Sequence, residues 1–196
     1  MKAPPGQAPI AYLCRPADGE IASGDAVVVR AEPGATLVAV IDVLGHGHEA
    51  GKVAARAVRH LEAAPITRAL TLMHGLHAEL RGSRGAAVML CVLRGFELDA
   101  CGVGNVEARA DDAGRRHERA AAADDARVDR FREQVGRLHR TDRLLCWSDG
   151  ISTRLEPDSV RHLGPADACA QIMTLHRRRY DDASVVVADI GGIATA

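Results

Sequence analysis

An apolar run that ends in a single acidic residue constrains this chain more than any other feature. Residues 37–41 are all apolar, Asp42 follows them, and Gly45 and Gly47 then lead into a helical pattern. The run predicts a buried strand that carries Asp42 at its end. An ionised carboxylate that leaves water loses several kcal/mol unless a cation, hydrogen bonds or a shifted pKa compensates it. A metal ion is therefore the first partner to consider for Asp42.

Two later apolar runs carry acids at their ends in the same way. The run 144–147 leads to Asp149, and the pair Asp181 and Asp182 opens the run 183–188. Because successive side chains of a strand point to opposite faces, only one member of this pair can face the same site as the other acids. We expect Asp181 to face that site and Asp182 to form hydrogen bonds nearby.

A fourth acid belongs to a predicted hairpin. Asp25 lies among the first residues of a strand pattern over 23–30, and the turn residues 32–34 lead into the strand over 36–42. Antiparallel pairing across this turn brings Asp25 and Asp42 to the same end of the hairpin.

An all-carboxylate set of this kind indicates a hard cation. Carboxylates, carbonyls and waters are the ligands that magnesium and manganese prefer, so the four acids predict a site for Mn2+ or Mg2+. Two such ions about 4 Å apart, bridged by one carboxylate, would generate a hydroxide nucleophile and neutralise the charge of a phosphoryl group. No rival nucleophile is evident. The sequence has no G-x-S-x-G motif, and its 5 cysteines form no CxxC pair and lie mostly in apolar runs, as buried reduced thiols do.

The order of the elements predicts an α+β fold in one domain, 1–196. Residues 1–9 form a loose N-terminal segment, and residues 111–130 form a charged loop. This loop is either merely solvated or the segment most available for docking a folded partner. Strands and helices occur in separate blocks, which favours sheets covered by helices. The elements after the hairpin are helices from residue 50 to a stop at Pro65 and over 66–80, successive antiparallel strands over 85–94, 96–101 and 106–110, a strand over 144–147, a helix over 165–176 and a strand over 183–189.

Composition excludes several classes of function. The formal net charge is -1 and aromatic residues make up 3% of the chain. The sequence therefore lacks the excess of basic residues and the aromatic residues expected of a protein that binds nucleic acid or a membrane surface. No run approaches the roughly 18 apolar residues of a membrane span, and the N-terminal residues lack the apolar core of a signal peptide. We expect a monomer in the cytoplasm.

Five short motifs in this order resemble the PP2C-type metal-dependent protein serine/threonine phosphatases. Within them the chain is most similar to the SpoIIE branch and to its small stand-alone RsbX phosphatases, over about residues 10–190. The motifs are Ser23-Gly24-Asp25, Asp42 with Gly45-His46-Gly47, Gly102 with Gly104-Asn105, Ser148-Asp149-Gly150, and Asp181-Asp182 with the apolar run that follows.

The resemblance implies a four-layer αββα sandwich of two antiparallel sheets with two Mn2+ or Mg2+ ions. By position, Asp42 would bridge the ions, Val43 would offer its carbonyl, Asp149 and Asp181 would hold one ion, and Asp25 would act on the other. Asp42 and Asp149 would thus be catalytic. His46 would be a phosphate contact or a general acid, and the remaining expected substrate-binding residues are Gly47, Gly104 and Asn105.

The activity implied is hydrolysis of phosphoserine or phosphothreonine through a metal-bound water, which would reset a phosphorylated STAS-domain partner in bacterial stress signalling. An alternative is a catalytically weak or inactive relative that only binds a phosphoprotein, because Val43 stands where this family usually has glycine.

A dinucleotide-binding turn at Gly45, Gly47 and Gly51 is disfavoured. The acid that such a fold needs about 20 residues later would fall near Glu62, inside a predicted helix.

Overall fold

The hairpin around the turn at 32–34 starts the first of two antiparallel sheets. This computed structural model describes residues 8–112, 115–116, 120–121 and 131–194, with side chains described over 8–110 and 131–194. The first sheet has the strand order β2-β3-β4-β5-β9. Its strands are β2 (Asp25–Glu32), β3 (Ala35–Val43), β4 (Ala86–Arg94), β5 (Glu97–Val103) and β9 (Arg132–Arg137).

The second sheet has the strand order β1-β11-β10-β6-β7, with β8 also paired to β6. Its central strands β10 and β11 are apolar and buried almost throughout, as expected for strands covered on both faces. The strands are β1 (Ile10–Arg15), β6 (Glu107–Asp112), β7 (Arg115–Arg116), β8 (Ala120–Ala121), β10 (Arg143–Trp147) and β11 (Ala183–Asp189).

Helices cover the outer faces of both sheets. Buried side chains of α1 and α2, among them Leu61 and Leu76, pack on the first sheet, and those of α3, such as Ile172, pack on the second. A third apolar cluster, which includes Met89 and Val186, lies between the sheets. The predicted four-layer αββα sandwich is confirmed. The helices are α1 (Gly47–Ala63), α2 (Ala69–Glu79), α3 (Pro165–His176), the short α4 (Ile190–Ile193) and a 3-10 helix (Pro157–Val160).

Two predicted helix starts and one predicted strand pairing differ from the structure. Helix α1 begins at Gly47 rather than at residue 50, and α2 begins at Ala69 because Arg68 has an extended backbone. Strand β6 does not pair with β5 but joins β10 in the second sheet. The chain changes sheet just after Gly104, whose φ is +84° and whose Cα packs so closely on Ala87 that a Cβ would lie 2.4 Å from the alanine Cβ. A turn of this kind is open only to glycine.

The predicted loose segment and charged loop fall largely outside the described residues. Of the N-terminal segment 1–9, only residues 8 and 9 are described. Of the charged loop 111–130, the described positions 111–112, 115–116 and 120–121 are strand residues. Strand β9 follows this segment and was not predicted, because its polar residues give little hydrophobic pattern at the edge of a sheet.

The state of the cysteines agrees with the sequence-based expectation. All five cysteines are free thiols and all except Cys14 are buried. Burial raises the pKa of Cys14, Cys101 and Cys169 to about 12, which disfavours a thiolate nucleophile. In the described part of the chain, no helix combines the length and apolar character that crossing a membrane requires.

Candidate metal centre

The first pair of acids comes from the hairpin of the first sheet. Asp25 on β2 and Asp42 on β3 are direct partners in the antiparallel register. Directly opposite residues project from the same face of a sheet, so the two carboxylates lie side by side. Asp25 is buried and Asp42 is half-buried. The predicted placement of both acids at one end of the hairpin is confirmed.

The second pair comes from the neighbouring strands of the second sheet. Asp149 follows β10, and Asp181 precedes β11, which is the antiparallel partner of β10. The charges of Asp25, Asp149 and Asp181 all raise the pKa of Asp42. The two sheets therefore bring all four predicted acids to one place.

The pKa of Asp42 is raised by burial and by neighbouring acids together. Burial is the largest cause that raises its pKa, followed by the charges of Asp25 and Asp149, and a hydrogen bond with Asp149 adds to them; together they bring the pKa to about 8. The pKa of Asp181 is also raised, first by burial and then by the charge of Asp149, while Arg178 lowers it. The centre thus resists carrying its full negative charge without a cation.

Asp25 is anchored across the two sheets by a serine. Ser148 Oγ donates a hydrogen bond to Asp25 Oδ2 at 2.5 Å, and the Ser184 N–H donates to the same Oγ at 2.9 Å. Burial raises the pKa of Asp25 to about 7 even though the Ser148 hydrogen bond lowers it. The anchoring role of Ser148 was not predicted from the sequence, and its position beside Asp149 in the Ser-Asp-Gly motif was the available signal.

Asp182 accepts hydrogen bonds that hold the fold together and does not join the four acids of the centre. The Ala17 N–H donates to its Oδ1 at 2.8 Å, and the Gly24 N–H donates to its Oδ2 at 2.6 Å. The expected hydrogen-bonding role of Asp182 is confirmed. Its backbone also explains Gly150, because a Cβ at that glycine would lie 1.8 Å from the Asp182 carbonyl oxygen.

Val43 ends β3 with its side chain buried in the first-sheet core. Its N–H donates to the Gly24 carbonyl at 3.2 Å. No non-glycine residue in the described ranges has a positive φ, so the backbone at Val43 does not need glycine. The use of its carbonyl as a metal ligand stays a prediction.

The expected substrate-binding residues lie on two loops. Asn105 donates from Nδ2 to Asp149 Oδ2, which brings its amide to the acidic centre just after the turn at Gly104. His46 is the N-cap of α1, directly before Gly47, and its Nδ1 lies 2.8 Å from Glu20 Oε1. Glu20 was not recognised from the sequence, because no local pattern connects it to a residue 26 positions away.

Arg84 is a second residue near the centre that sequence reasoning missed. Its guanidinium donates to the Leu44 carbonyl at 3.0 Å. It also packs over Gly45, where a Cβ would lie 2.7 Å from Nη1. A basic side chain therefore covers the loop that follows Asp42 and Val43.

Solved structures resemble this chain over almost its whole length. A structure from work on the bacterial stressosome, described as a modular system adapted to control secondary messenger signalling, is 29% identical with a TM-score of 0.83, covering 91% of this chain and 97% of the other. RsbX in complex with magnesium is 14% identical with a TM-score of 0.81, covering 91% and 92%. The catalytic domain of the serine/threonine phosphatase PstP with 2 manganese ions is 18% identical with a TM-score of 0.68, covering 92% and 96%.

The chain has the fold of the PP2C-type phosphatases. The PP2C domain of SpoIIE from Bacillus subtilis itself aligns with a TM-score of 0.72 at 16% identity, over 91% of this chain and 62% of that one. No protein-family model and no curated protein sequence matches the chain. The likeness to PP2C-type phosphatases is therefore visible in the fold rather than in overall sequence similarity.

The donor set of this acidic centre fits a hard divalent cation. Its carboxylates repel one another, which is the arrangement that a cation relieves. Within the described ranges, no group of three or more histidine, cysteine, aspartate or glutamate side chains is arranged to hold a metal ion. Each ion would therefore be held by carboxylates of this set together with waters, as magnesium in particular prefers.

Proposed function

We propose that this chain is a Mn2+- or Mg2+-dependent protein phosphatase that hydrolyses phosphoserine and phosphothreonine. The observation that carries the proposal is the convergence of four acids from both sheets, which raises the pKa of Asp25 to about 7 and that of Asp42 to about 8 through burial and mutual repulsion. A site with this much unbalanced negative charge is suited to divalent cations. The PP2C-type fold, shared with structures that contain magnesium or manganese, supports the same conclusion.

The chain's own residues divide the work between cation binding and substrate binding. Asp42 would contact both ions, Asp149 and Asp181 would hold one, and Asp25, fixed by Ser148, would act on the other. Bound divalent cations supply an activated water nucleophile and neutralise the charge of the phosphoryl group. Asn105, through its bond to Asp149, and the loop of His46 and Gly47 would orient the phosphate.

Hydrolysis of a phosphoserine peptide with Mn2+, Mg2+ or EDTA tests the metal dependence. We expect turnover with either cation and none with EDTA. Asp189→Asn serves as a control, because it removes a carboxylate at the end of β11 that lies far from Asp181. Its turnover should depend on the cation in the same way as that of the wild type. Equal rates with cation and with EDTA would contradict the proposal.

We infer that the substrate is a phosphorylated STAS-domain protein of a partner-switching pathway. The similarity to a structure from stressosome work supports this assignment. The test compares a phosphorylated STAS protein with a short phosphopeptide cut from it, using the full chain and a variant with 112–126 replaced by a Gly-Ser linker. Faster turnover of the protein than of the peptide would support recognition of a folded partner, and equal rates would contradict it.

The inactive alternative depends on Val43. Since the backbone there has no positive φ, the valine gives no conformational reason for lost activity. The same phosphopeptide assay separates the two functions. Binding of the phosphopeptide without turnover in saturating cation would favour the inactive relative.

A further inference from the structure

Glu20 and His46 form a carboxylate–imidazole pair beside the acidic centre. The His46 Nδ1 lies 2.8 Å from Glu20 Oε1. An ionised carboxylate can only accept hydrogen bonds, so the imidazole donates from Nδ1. Such a bond fixes the tautomer and leaves Nε2 as the nitrogen that can gain and lose a proton. The His46 side chain is 57% exposed, so a substrate can reach it.

The loop that carries Glu20 is held by the structure around the centre. The Glu20 N–H donates to the Ala17 carbonyl at 3.0 Å, and the Ala17 N–H donates to Asp182 Oδ1 at 2.8 Å. Asp182 also accepts from Gly24, directly before Asp25. The position of Glu20 is therefore tied to the same residues that fix the acidic centre.

Gly47 provides the space that the Glu20 carboxylate occupies. A Cβ at Gly47 would lie 3.0 Å from Glu20 Oε2 and 3.3 Å from Oε1. Gly47 is also the first residue of the 17-residue helix α1, whose N-terminal dipole favours a negative charge at this end. Both features favour the contact of the Glu20 carboxylate with His46.

We propose that Glu20 is a positioning residue that orients His46 as the general acid for the leaving group. This inference rests on the proposed phosphatase function. A water oxygen bonds to phosphorus and releases a proton to solvent as the bond between phosphorus and the serine or threonine oxygen breaks. The electron pair of the broken bond stays on the serine or threonine oxygen, and the proton on His46 Nε2 passes to it to give the free hydroxyl. His46 is left neutral with its Nδ1 proton still donated to Glu20, and it regains a proton from solvent.

The first test compares two leaving groups in the variants Glu20→Gln and His46→Gln. A phosphoserine peptide releases an alkoxide that needs a proton, whereas p-nitrophenyl phosphate releases a stable phenolate that does not. For the peptide we expect kcat to fall roughly 10-fold in Glu20→Gln and on the order of 100-fold in His46→Gln. For p-nitrophenyl phosphate we expect a loss of less than about 2-fold in Glu20→Gln, and a smaller loss than for the peptide in His46→Gln.

Glu49→Gln is the matched control. Glu49 lies in the first turn of the same helix and pairs with Lys52 at 2.7 Å, so the change removes the same charge from the same region. Its rates with both substrates should equal those of the wild type. A double variant of Glu20→Gln and His46→Gln should be no slower than His46→Gln alone, because both act through one proton.

A second test needs no turnover and no metal. Long-range 1H–15N NMR spectra of the metal-free chain report which imidazole nitrogen of His46 carries the proton. We expect the Nδ1–H form in the wild type and a shift towards the Nε2–H form in Glu20→Gln. The same tautomer in both proteins, equal losses with both substrates, or additive losses in the double variant would each overturn the role of Glu20.

The wild-type rates separate this inference from the proposed function. If the wild type showed no cation-dependent hydrolysis of either substrate, both proposals would fall. If the wild type is active and Glu20→Gln retains its full rate on the peptide, only the role of Glu20 falls.

Discussion

The two ends of the β10–β11 pair hold their aspartates in opposite surroundings. At one end, Arg143 and Asp189 are register partners, and the guanidinium donates to both carboxylate oxygens, at 2.7 Å from Nε and 3.0 Å from Nη2. Arg143 also donates to the carbonyls of Val160 and Leu163. At the other end, Asp149 and Asp181 lie near Asp25 and Asp42 of the first sheet. The charges of Asp25, Asp149 and Asp181 all raise the pKa of Asp42. A carboxylate with its own guanidinium stabilises the fold, whereas grouped carboxylates require a cation from solution.

The largest effect should follow from removing an acid at the grouped end. Asp42→Asn should lower cation-dependent hydrolysis of a phosphoserine peptide by about 1,000-fold, which corresponds to about 4 kcal/mol of transition-state stabilisation. Asp149→Asn should act in the same direction. Rates near those of the wild type at saturating manganese would contradict the role of these acids.

The stability of the metal-free chain should fall as the pH rises. Asp25 and Asp42 have pKa values raised to about 7 and about 8, while an aspartate in the unfolded chain has a pKa of about 3.9. Below about pH 4 both aspartates are protonated in the folded and in the unfolded chain. Between about pH 4 and pH 8 the unfolded chain releases protons that the folded chain retains, which favours unfolding. Thermal unfolding in EDTA should show a Tm lower by roughly 10 °C at pH 8 than at pH 5.

Two controls connect this pH dependence to the grouped acids. Manganese at pH 8 should restore the Tm, because the cation replaces the retained protons. Asp42→Asn in EDTA should flatten the profile, because it removes one of the repelling charges. A Tm in EDTA that rises from pH 5 to pH 8 would show that the acids do not repel one another in the folded chain.

A smaller effect, on stability alone, should follow from breaking the paired end. Asp189→Asn leaves the buried Arg143 without its charge partner, which should destabilise the fold by about 2 kcal/mol. Denaturant unfolding measures this loss. The hydrolysis rate at a temperature where the variant is folded should not change, and a large loss of rate would mean that the two ends are not independent.

The smallest effect should come from Val43→Ala. Only the carbonyl of Val43 is expected to contact an ion, so the manganese concentration that gives half-maximal activity should change less than about 2-fold. The lost methyl groups lie in the buried core and should cost about 1 kcal/mol in unfolding free energy. A large rise in the manganese requirement would contradict the placement of this carbonyl.

The strands, helices and turns that depend on local sequence pattern could be predicted from the sequence. The apolar runs predicted the buried strands, and α3 spans the predicted residues, with Pro165 at its first turn and His176 at its end. The hairpin turn predicted Asp25 and Asp42 near the same end of the pair, and the structure makes them direct register partners. The four acids of the centre could therefore be named from runs of a few residues each.

Contacts between residues distant in the chain were decided by the tertiary structure. Ser148 and Asp25 are 123 positions apart, and Asp182 and Ala17 are 165 positions apart, so no local periodicity connects them. The passage of β6 into the second sheet depends on the close packing of Gly104 on Ala87, and the pairing of Glu20 with His46 depends on a loop held by Asp182. The sequence by itself determined which carboxylates end buried strands, because burial follows from local hydrophobic pattern. Only the packing of the two sheets decided which polar groups surround those carboxylates, because hydrogen bonds and charge interactions act through space rather than along the chain.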